Sequence, residues 1–223
     1  NEKNILEKKF EQFIEFIKKI PFKKEIIICD NFSTDGTIEV AKSTNNPNLI
    51  CYSRNRRGLA SAFLVGLINS SGNIVGWVDS NMDSIVEKFP EMISNLKNAD
   101  IVLLSRYKAG GRDDRNIVRV ISSRMINALA RFILRSKIQD LSSGIFVMKR
   151  DVLLDVIPIA SGHGEFMVEF LYNAERKGNK IVELPYSHPI DKEGNSKSFP
   201  SLPKFLLFGF FYVLRLFQTI FRR

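Results

Sequence analysis

Short apolar runs rich in β-branched residues alternate along this chain with segments of helical periodicity, and that alternation restricts the fold more than any other feature. Strands are predicted over residues 25–29, 48–52, 73–78, 100–104, 143–149 and 180–185. Helices are predicted over 4–20, 37–43, 59–69, 89–96, 118–134 and 165–177. In the first helix Asn4 and Glu7 have capping-box spacing, Leu6, Phe10, Ile14 and Ile17 repeat at helical intervals, and Pro21 ends the pattern. Strands alternating with helices make an α/β fold, a mostly parallel sheet flanked by helices. The charged stretch 106–115 and the polar stretch 187–201 read as loops.

Composition narrows the partners. With 44% hydrophobic residues the chain can build a packed core, which excludes wholesale disorder. Cys29 and Cys51 are its only cysteines, too few for a disulfide framework or a zinc ribbon, and a reducing compartment is expected. The start of the sequence carries no secretory-signal pattern. Lysine and arginine number 33 against 24 acidic residues, and the resulting +9 favours anionic partners. No RNP, KH or helix-turn-helix pattern accompanies that charge, so nucleic acid is not an expected partner.

The last segment differs in kind. Residues 205–221 are almost all apolar or aromatic, with Lys204 before them, Arg215 within and Arg222 and Arg223 after. The uninterrupted apolar run is shorter than the roughly 17–25 residues that span a bilayer. An amphipathic helix lying on an anionic membrane surface is expected, with Arg215 snorkelling to the headgroups; the alternative is a terminal core helix. Residues 1–200 are then expected to form one domain and 201–223 the membrane-associated helix.

Chemistry concentrates after two predicted strands, where Asp30 and Asp79 sit at the end of a parallel sheet that usually holds ligands. Asp79-Ser80-Asn81-Met82-Asp83 places two carboxylates and an amide oxygen in one loop. Hard divalent cations take such ligands, although Asp and Asn are also ordinary turn residues. On spacing alone Arg115, Arg119 and Arg124 read as the solvated face of a basic helix. His163 and His188 read as loop residues without a third metal ligand. Gly110-Gly111 reads as a mobile loop over substrate or as a plain turn.

Several segments together resemble the family 2 glycosyltransferases: Glu25 to Gly36 (EIIICDNFSTDG), the Asp79 loop in place of a DxD motif, Ser105-Arg106-Tyr107-Lys108-Ala109-Gly110-Gly111, Asp140-Leu141-Ser142-Ser143-Gly144-Ile145-Phe146, and Gly194-Asn195-Ser196-Lys197. Within that family the chain is most similar to dolichol-phosphate mannose synthases and other polyprenyl-phosphate sugar transferases. The resemblance implies a GT-A (Rossmann-like) fold and metal-dependent, inverting transfer of a hexose, mannose or glucose. The implied donor is GDP-mannose or UDP-glucose, the acceptor a polyprenyl phosphate, and the location the cytoplasmic face of a membrane.

Residue by residue, the resemblance assigns Glu2, Ile28, Asp30 and Lys197 to the nucleotide-sugar. It assigns Asp79, Asn81 and Asp83 to Mg²⁺ or Mn²⁺, and Arg106, Arg119 and Ser122 to the acceptor phosphate. Asp79, Asp83 and Arg106 are the implied catalytic residues. Three departures stand out. Asn81 replaces the second Asp of DxD, with Asp83 two places on, and Asp191 stands where the family has an Arg, with Lys192 beside it. Asn1-Glu2 resembles the end of a family loop that follows a first strand, so an N-terminally truncated domain with unpaired neighbouring strands is expected. Two rival readings predict different residues at work. Transfer to a polysaccharide or protein would require a general base, for which Asp140 is the candidate; a non-catalytic nucleotide- or lipid-binding remnant would bind membranes without turnover.

Overall fold

The computed structural model describes residues 2–43, 49–53, 58–79, 83–188 and 202–221. Helix α1 (Lys3–Lys18) leads into β1 (Ile26–Asp30), α2 (Thr37–Ser43), β2 (Leu49–Ser53), α3 (Leu59–Ile68) and β3 (Ile74–Trp77). A 3-10 turn (Asp83–Lys88) precedes α4 (Phe89–Asn95), β4 (Ile101–Ser105), β5 (Arg112–Asp113) and α5 (Ile117–Leu134). The rest is β6 (Phe146–Lys149), α6 (Val152–Asp155), α7 (Phe166–Arg176), β7 (Ile181–Pro185), β8 (Ser187–His188) and α8 (Leu202–Phe221).

Every predicted strand and helix is present, within a few residues at its ends. The capping box is not: α1 starts one residue earlier, and its first amides are held from outside the helix, Lys3 N–H by Asp35 Oδ2 at 3.1 Å and Glu2 N–H by Thr37 Oγ1 at 2.9 Å. A carboxylate on the β1–α2 loop thus satisfies donors that a local cap would otherwise take. Asp35 responds: the hydrogen bond from the Thr37 hydroxyl leads, the backbone donors add to it, and its pKa is lowered to about 2.

Among the described residues three separate ladders form. β1 pairs with β2 in parallel; β3, β6, β4 and β7 make a four-stranded sheet in that order; and β5 pairs with β8 in parallel. Within the larger sheet β4 and β7 are parallel, whereas β6 runs antiparallel to both neighbours. The short β5–β8 ladder falls in the two stretches read as loops, and it places His188 in a strand rather than a loop. Two-residue strands leave no periodicity to read.

The main core lies under the four-stranded sheet. Phe63 of α3 meets Trp77 edge-on at 4.7 Å and Phe146 at 5.5 Å, and Phe166 and Phe170 of α7 close the cluster. A second core under α4 joins Met92, Val102, Leu104 and Val147. Gly76 sits where strand and helix nearly touch, since a Cβ there would come 2.8 Å from the Phe89 ring.

Helix α8 packs against α5 and α7, and its Leu216 joins the main core. Arg215 does not snorkel. It is 6% exposed, pairs through Nη1 with Glu169 at 3.1 Å, and donates through Nη2 to the Ser161 carbonyl at 2.9 Å. Helical geometry puts Arg215, Leu216 and Thr219 on the buried face and leaves Phe210, Phe211, Phe217 and Phe221 outside. Among the described residues no helix is long and apolar enough to cross a membrane.

Candidate active site

A single cleft of about 2940 Å³ runs between β1 and β3 and reaches α5 and α8. Every residue of β1 and of β3 lines it, and among the described residues each of these strands is paired on one side only. The carboxyl ends of both strands therefore open into the same space, the position where α/β sheets collect ligands.

At the end of β1, Asp30 is 5% exposed and lines the cleft. Its Oδ2 accepts the Ser33 amide at 3.0 Å, a local turn that fixes the carboxylate at the strand terminus. Ile28, half-buried, and Glu2, at the start of α1, line the same cleft. Asp79 lies two residues beyond β3, exposed and on the cleft wall. An exposed carboxylate there suits Mg²⁺ or Mn²⁺, which take hard oxygen ligands and keep room for substrate phosphates. Asn81, Asp191, Lys192, Lys197 and the side chain of Asp83 lie outside the described residues; the backbone of Asp83 opens the 3-10 turn.

The cations gather on the β4–α5 connection. Arg106 is 6% exposed and clamped by Asp140: Nε donates to Oδ2 at 2.8 Å and Nη2 to Oδ1 at 2.7 Å, with a further bond from Nη2 to Ser142 Oγ at 2.8 Å. Burial works against its charge, the Asp140 carboxylate outweighs it, and the guanidinium pKa ends above its ordinary value. Nη1 lies 3.8 Å from Asp113 and is the nitrogen outside the clamp. Arg115 grips Asp113 through Nε and Nη2, each at 2.6 Å. Burial pushes Asp113 up, yet the Arg115 fork and the Arg106 charge bring its pKa down to about 2. Arg119 and Ser122, one turn apart near the start of α5, both line the cleft. Asn116 caps that helix, accepting the Val118 amide at 2.9 Å.

Asp140 has a different task from the one weighed for it. It is fully buried, both oxygens are occupied by Arg106, and one also accepts the Arg106 amide at 3.1 Å. A carboxylate so engaged has no open lone pair for a hydroxyl proton; it is the clamp that orients Arg106. Glu183 of β7 holds the clamp in turn, accepting the amides of Gln139 at 2.8 Å and Asp140 at 2.9 Å. Asn127 of α5 donates to Ser142 Oγ at 2.8 Å, which ties the helix to the same network. Tyr107 lies under two cations, 5.0 Å from Arg106 and 5.9 Å from Arg124. Sequence reasoning missed the roles of Glu183, Asn127 and Tyr107; the one signal was the Asp140-Leu141-Ser142-Ser143-Gly144 motif, which marks the place but not the bonds.

Gly110 and Gly111 form a tight turn. Gly110 has φ of +91°, and a Cβ on Gly111 would come 2.6 Å from the Ser105 carbonyl. Glycine is required there by the close return of the chain to β4.

A family model described as glycosyl transferase family 2 matches residues 1–157. Among curated proteins, a dolichol-phosphate mannosyltransferase from Pyrococcus furiosus is 29% identical over 206 residues, covering 88% of this chain and 56% of its own length. A polyprenol monophosphomannose synthase from Mycolicibacterium smegmatis is 29% identical over 186 residues, covering 77% of this chain and 69% of its own. The chain thus spans little more than half of the archaeal relative. Among solved structures, glucosyl-3-phosphoglycerate synthase from Mycobacterium tuberculosis, in complex with Mn²⁺, UDP and glucosyl-3-phosphoglycerate, superposes with a TM-score of 0.70 at 20% identity, covering 98% of this chain and 76% of that one. At that identity the likeness establishes the fold, which is GT-A.

Proposed function

The chain belongs to glycosyl transferase family 2, and from that premise we propose that it moves a hexose, mannose or glucose, from a nucleotide-diphosphate sugar to a polyprenyl phosphate, with inversion. The observation that carries the reading is one cleft lined both by the strand-end carboxylates Asp30 and Asp79 and by Arg106, Arg115, Arg119 and Ser122. The relatives named for dolichol- and polyprenol-phosphate mannosyl transfer support a polyprenyl phosphate as acceptor and mannose as the sugar; the donor of this reading is GDP-mannose or UDP-glucose.

In this account Asp30 holds the nucleotide base, with Glu2 and Ile28 beside it, and Lys197 contacts the diphosphate. Asp79, with Asn81 and Asp83, would hold Mg²⁺ or Mn²⁺, which would supply positive charge to the leaving diphosphate. Arg106 through Nη1, with Arg119 and Ser122, holds the acceptor phosphate; guanidinium forks match phosphate oxygens bidentately. A phosphate monoester, with a second pKa of about 6, is already anionic near neutral pH, so its attack needs no general base. That fits a cleft in which the buried Asp140 is committed to Arg106. Attack from the face opposite the diphosphate inverts the anomeric centre. The exposed Phe210, Phe211, Phe217 and Phe221 of α8 support a membrane surface as partner; the location that goes with this reading is the cytoplasmic face.

The test is transfer of radiolabelled hexose into extracted lipid with Mn²⁺ or Mg²⁺ present. Label is expected with the parent chain, is lost on chelation, and falls at least a hundredfold in Asp79→Ala. Transfer that survives both treatments contradicts the metal assignment; membrane binding without any label supports the non-catalytic remnant instead.

A further inference from the structure

Arg106, Arg115 and Arg119 line the cleft, and the first two meet at one buried acid. The side chain of Asp113, on β5, has no exposed surface. Arg115 grips it with Nε on Oδ1 and Nη2 on Oδ2, each at 2.6 Å, and Arg106 Nη1 stands 3.8 Å from Oδ2. The Arg115 side chain is itself only 9% exposed.

Fold stability is a weak reason for this arrangement. Taking a carboxylate and a guanidinium out of water carries a cost that their attraction only partly returns. A bond between residues two apart closes no long loop, so it fixes the direction of a side chain rather than the packing of distant elements. The backbone on both sides is held. Arg112 N–H donates to the Tyr186 carbonyl at 3.0 Å and Asp114 N–H to the His188 carbonyl at 3.2 Å, which ties the chain around Asp113 to β8. Arg115 then leads directly into α5, whose start is capped by Asn116. A side chain already ordered in this way loses little further freedom when a ligand arrives.

The fork engages Nε and Nη2 of Arg115 and leaves Nη1 outside it. Arg106 repeats the pattern, with Nε and Nη2 on Asp140 and Nη1 outside. Both guanidiniums reach the one oxygen Asp113 Oδ2, which brings them within the span of a single phosphate. A phosphate has an oxygen to accept from each. No acid stands in the first turn of α5, so the positive end of that helix adds to the same field. We propose that Arg115 is a further acceptor-phosphate residue, donating through Nη1 beside Arg106, and that Asp113 is the positioning residue that aims it. The proposal rests on a phosphate-bearing acceptor entering this cleft. Arg115 and Asp113 both lie outside the motifs that carry the family resemblance.

The experiment is calorimetric titration of the 223-residue chain with farnesyl phosphate, a short polyprenyl phosphate, with farnesol as the phosphate-free control. Arg115→Gln is expected to weaken farnesyl phosphate binding by about tenfold or more, the share of one charge-assisted hydrogen bond, and to leave farnesol binding unchanged. That variant leaves Asp113 buried without its fork, so the double variant Asp113→Asn, Arg115→Gln is measured beside it. With both charges removed, the double variant is expected to recover melting temperature relative to Arg115→Gln but not affinity for the phosphate. In transfer assays both variants are expected to raise the KM for polyprenyl phosphate and to leave the KM for the nucleotide-sugar unchanged. Asp113→Asn alone keeps the Arg115 charge but loosens its hold, and weaker binding is expected there too; tighter binding overturns the positioning role of Asp113. Parent-like affinity in the double variant makes Arg115 a structural partner of Asp113 and overturns the proposal while the phosphate-acceptor reading stands. No binding of farnesyl phosphate by the parent chain overturns both.

Discussion

Arg106 shows how a residue read from sequence as a free hand can be a held one. Its guanidinium is buried against Asp140, with Nε and Nη2 both engaged, so its part in binding phosphate is set by how Asp140 orients it. Asp140→Asn leaves a buried arginine half-paired, and breaking one side of a buried ion pair costs about 3–5 kcal/mol. The variant is expected to lose that much stability in urea unfolding. The pH profile of any residual transfer keeps its shape, because no base has been removed; a lost acidic limb in that profile contradicts the clamp role. Asp113 makes a second prediction. Its folded pKa, about 2, lies below the unfolded value, so its contribution is full above pH 4 and is lost as pH falls through 2. The urea midpoint of the parent chain should therefore drop between about pH 4 and pH 2, more steeply than that of Asp113→Asn. The sequence made Asp30, Asp79 and the arginines legible as chemistry because their types and motif spacing carry it. It could not show the Arg106–Asp140 pairing, since a salt bridge across 34 residues leaves no periodic trace.

At the scale of elements, the apolar alternation was enough to place strands and helices, because burial on one or both faces imposes a period. It failed where packing or long-range bonds take over. Helix α1 is capped by Asp35 from another loop, and the β5–β8 pair is too short to pattern. Helix α8 divides its faces in a way that sequence alone left open between a membrane helix and a core helix: Leu216 and Thr219 are buried, and Phe210, Phe211, Phe217 and Phe221 are outside. Arg215 belongs to the buried face through Glu169, which is why snorkelling was the wrong expectation. Two packing predictions follow from the contacts themselves. Phe63→Ala removes the ring shared by Trp77, Phe146 and Phe166, and large-to-small changes of this kind cost about 3–5 kcal/mol. Gly76→Ala forces a methyl group against Phe89 and is expected to cost about 1–3 kcal/mol, less when combined with Phe89→Leu. Additive losses in that double variant would show that the ring is not what excludes the methyl.

The whole molecule brings three surfaces to one place. The strand ends of β1 and β3 supply carboxylates, the β4–α5 connection supplies cations, and apolar residues of α5 (Met125, Leu129, Phe132) and of α8 (Phe208, Tyr212, Val213) line the same cleft. An acceptor that is at once lipid and phosphate matches that combination better than a sugar hydroxyl, which would need a general base, a part that Asp140 does not play because it is committed to Arg106. The most direct measurement of this claim compares two acceptors of equal chain length, polyprenyl phosphate and the parent polyprenol, in the same vesicles with the same labelled donor and metal. The account predicts label in the phosphate lipid alone, and a loss of at least tenfold with Arg119→Ala. Equal transfer to the unphosphorylated alcohol would contradict it, because a neutral hydroxyl can react at that rate only if a base has been overlooked.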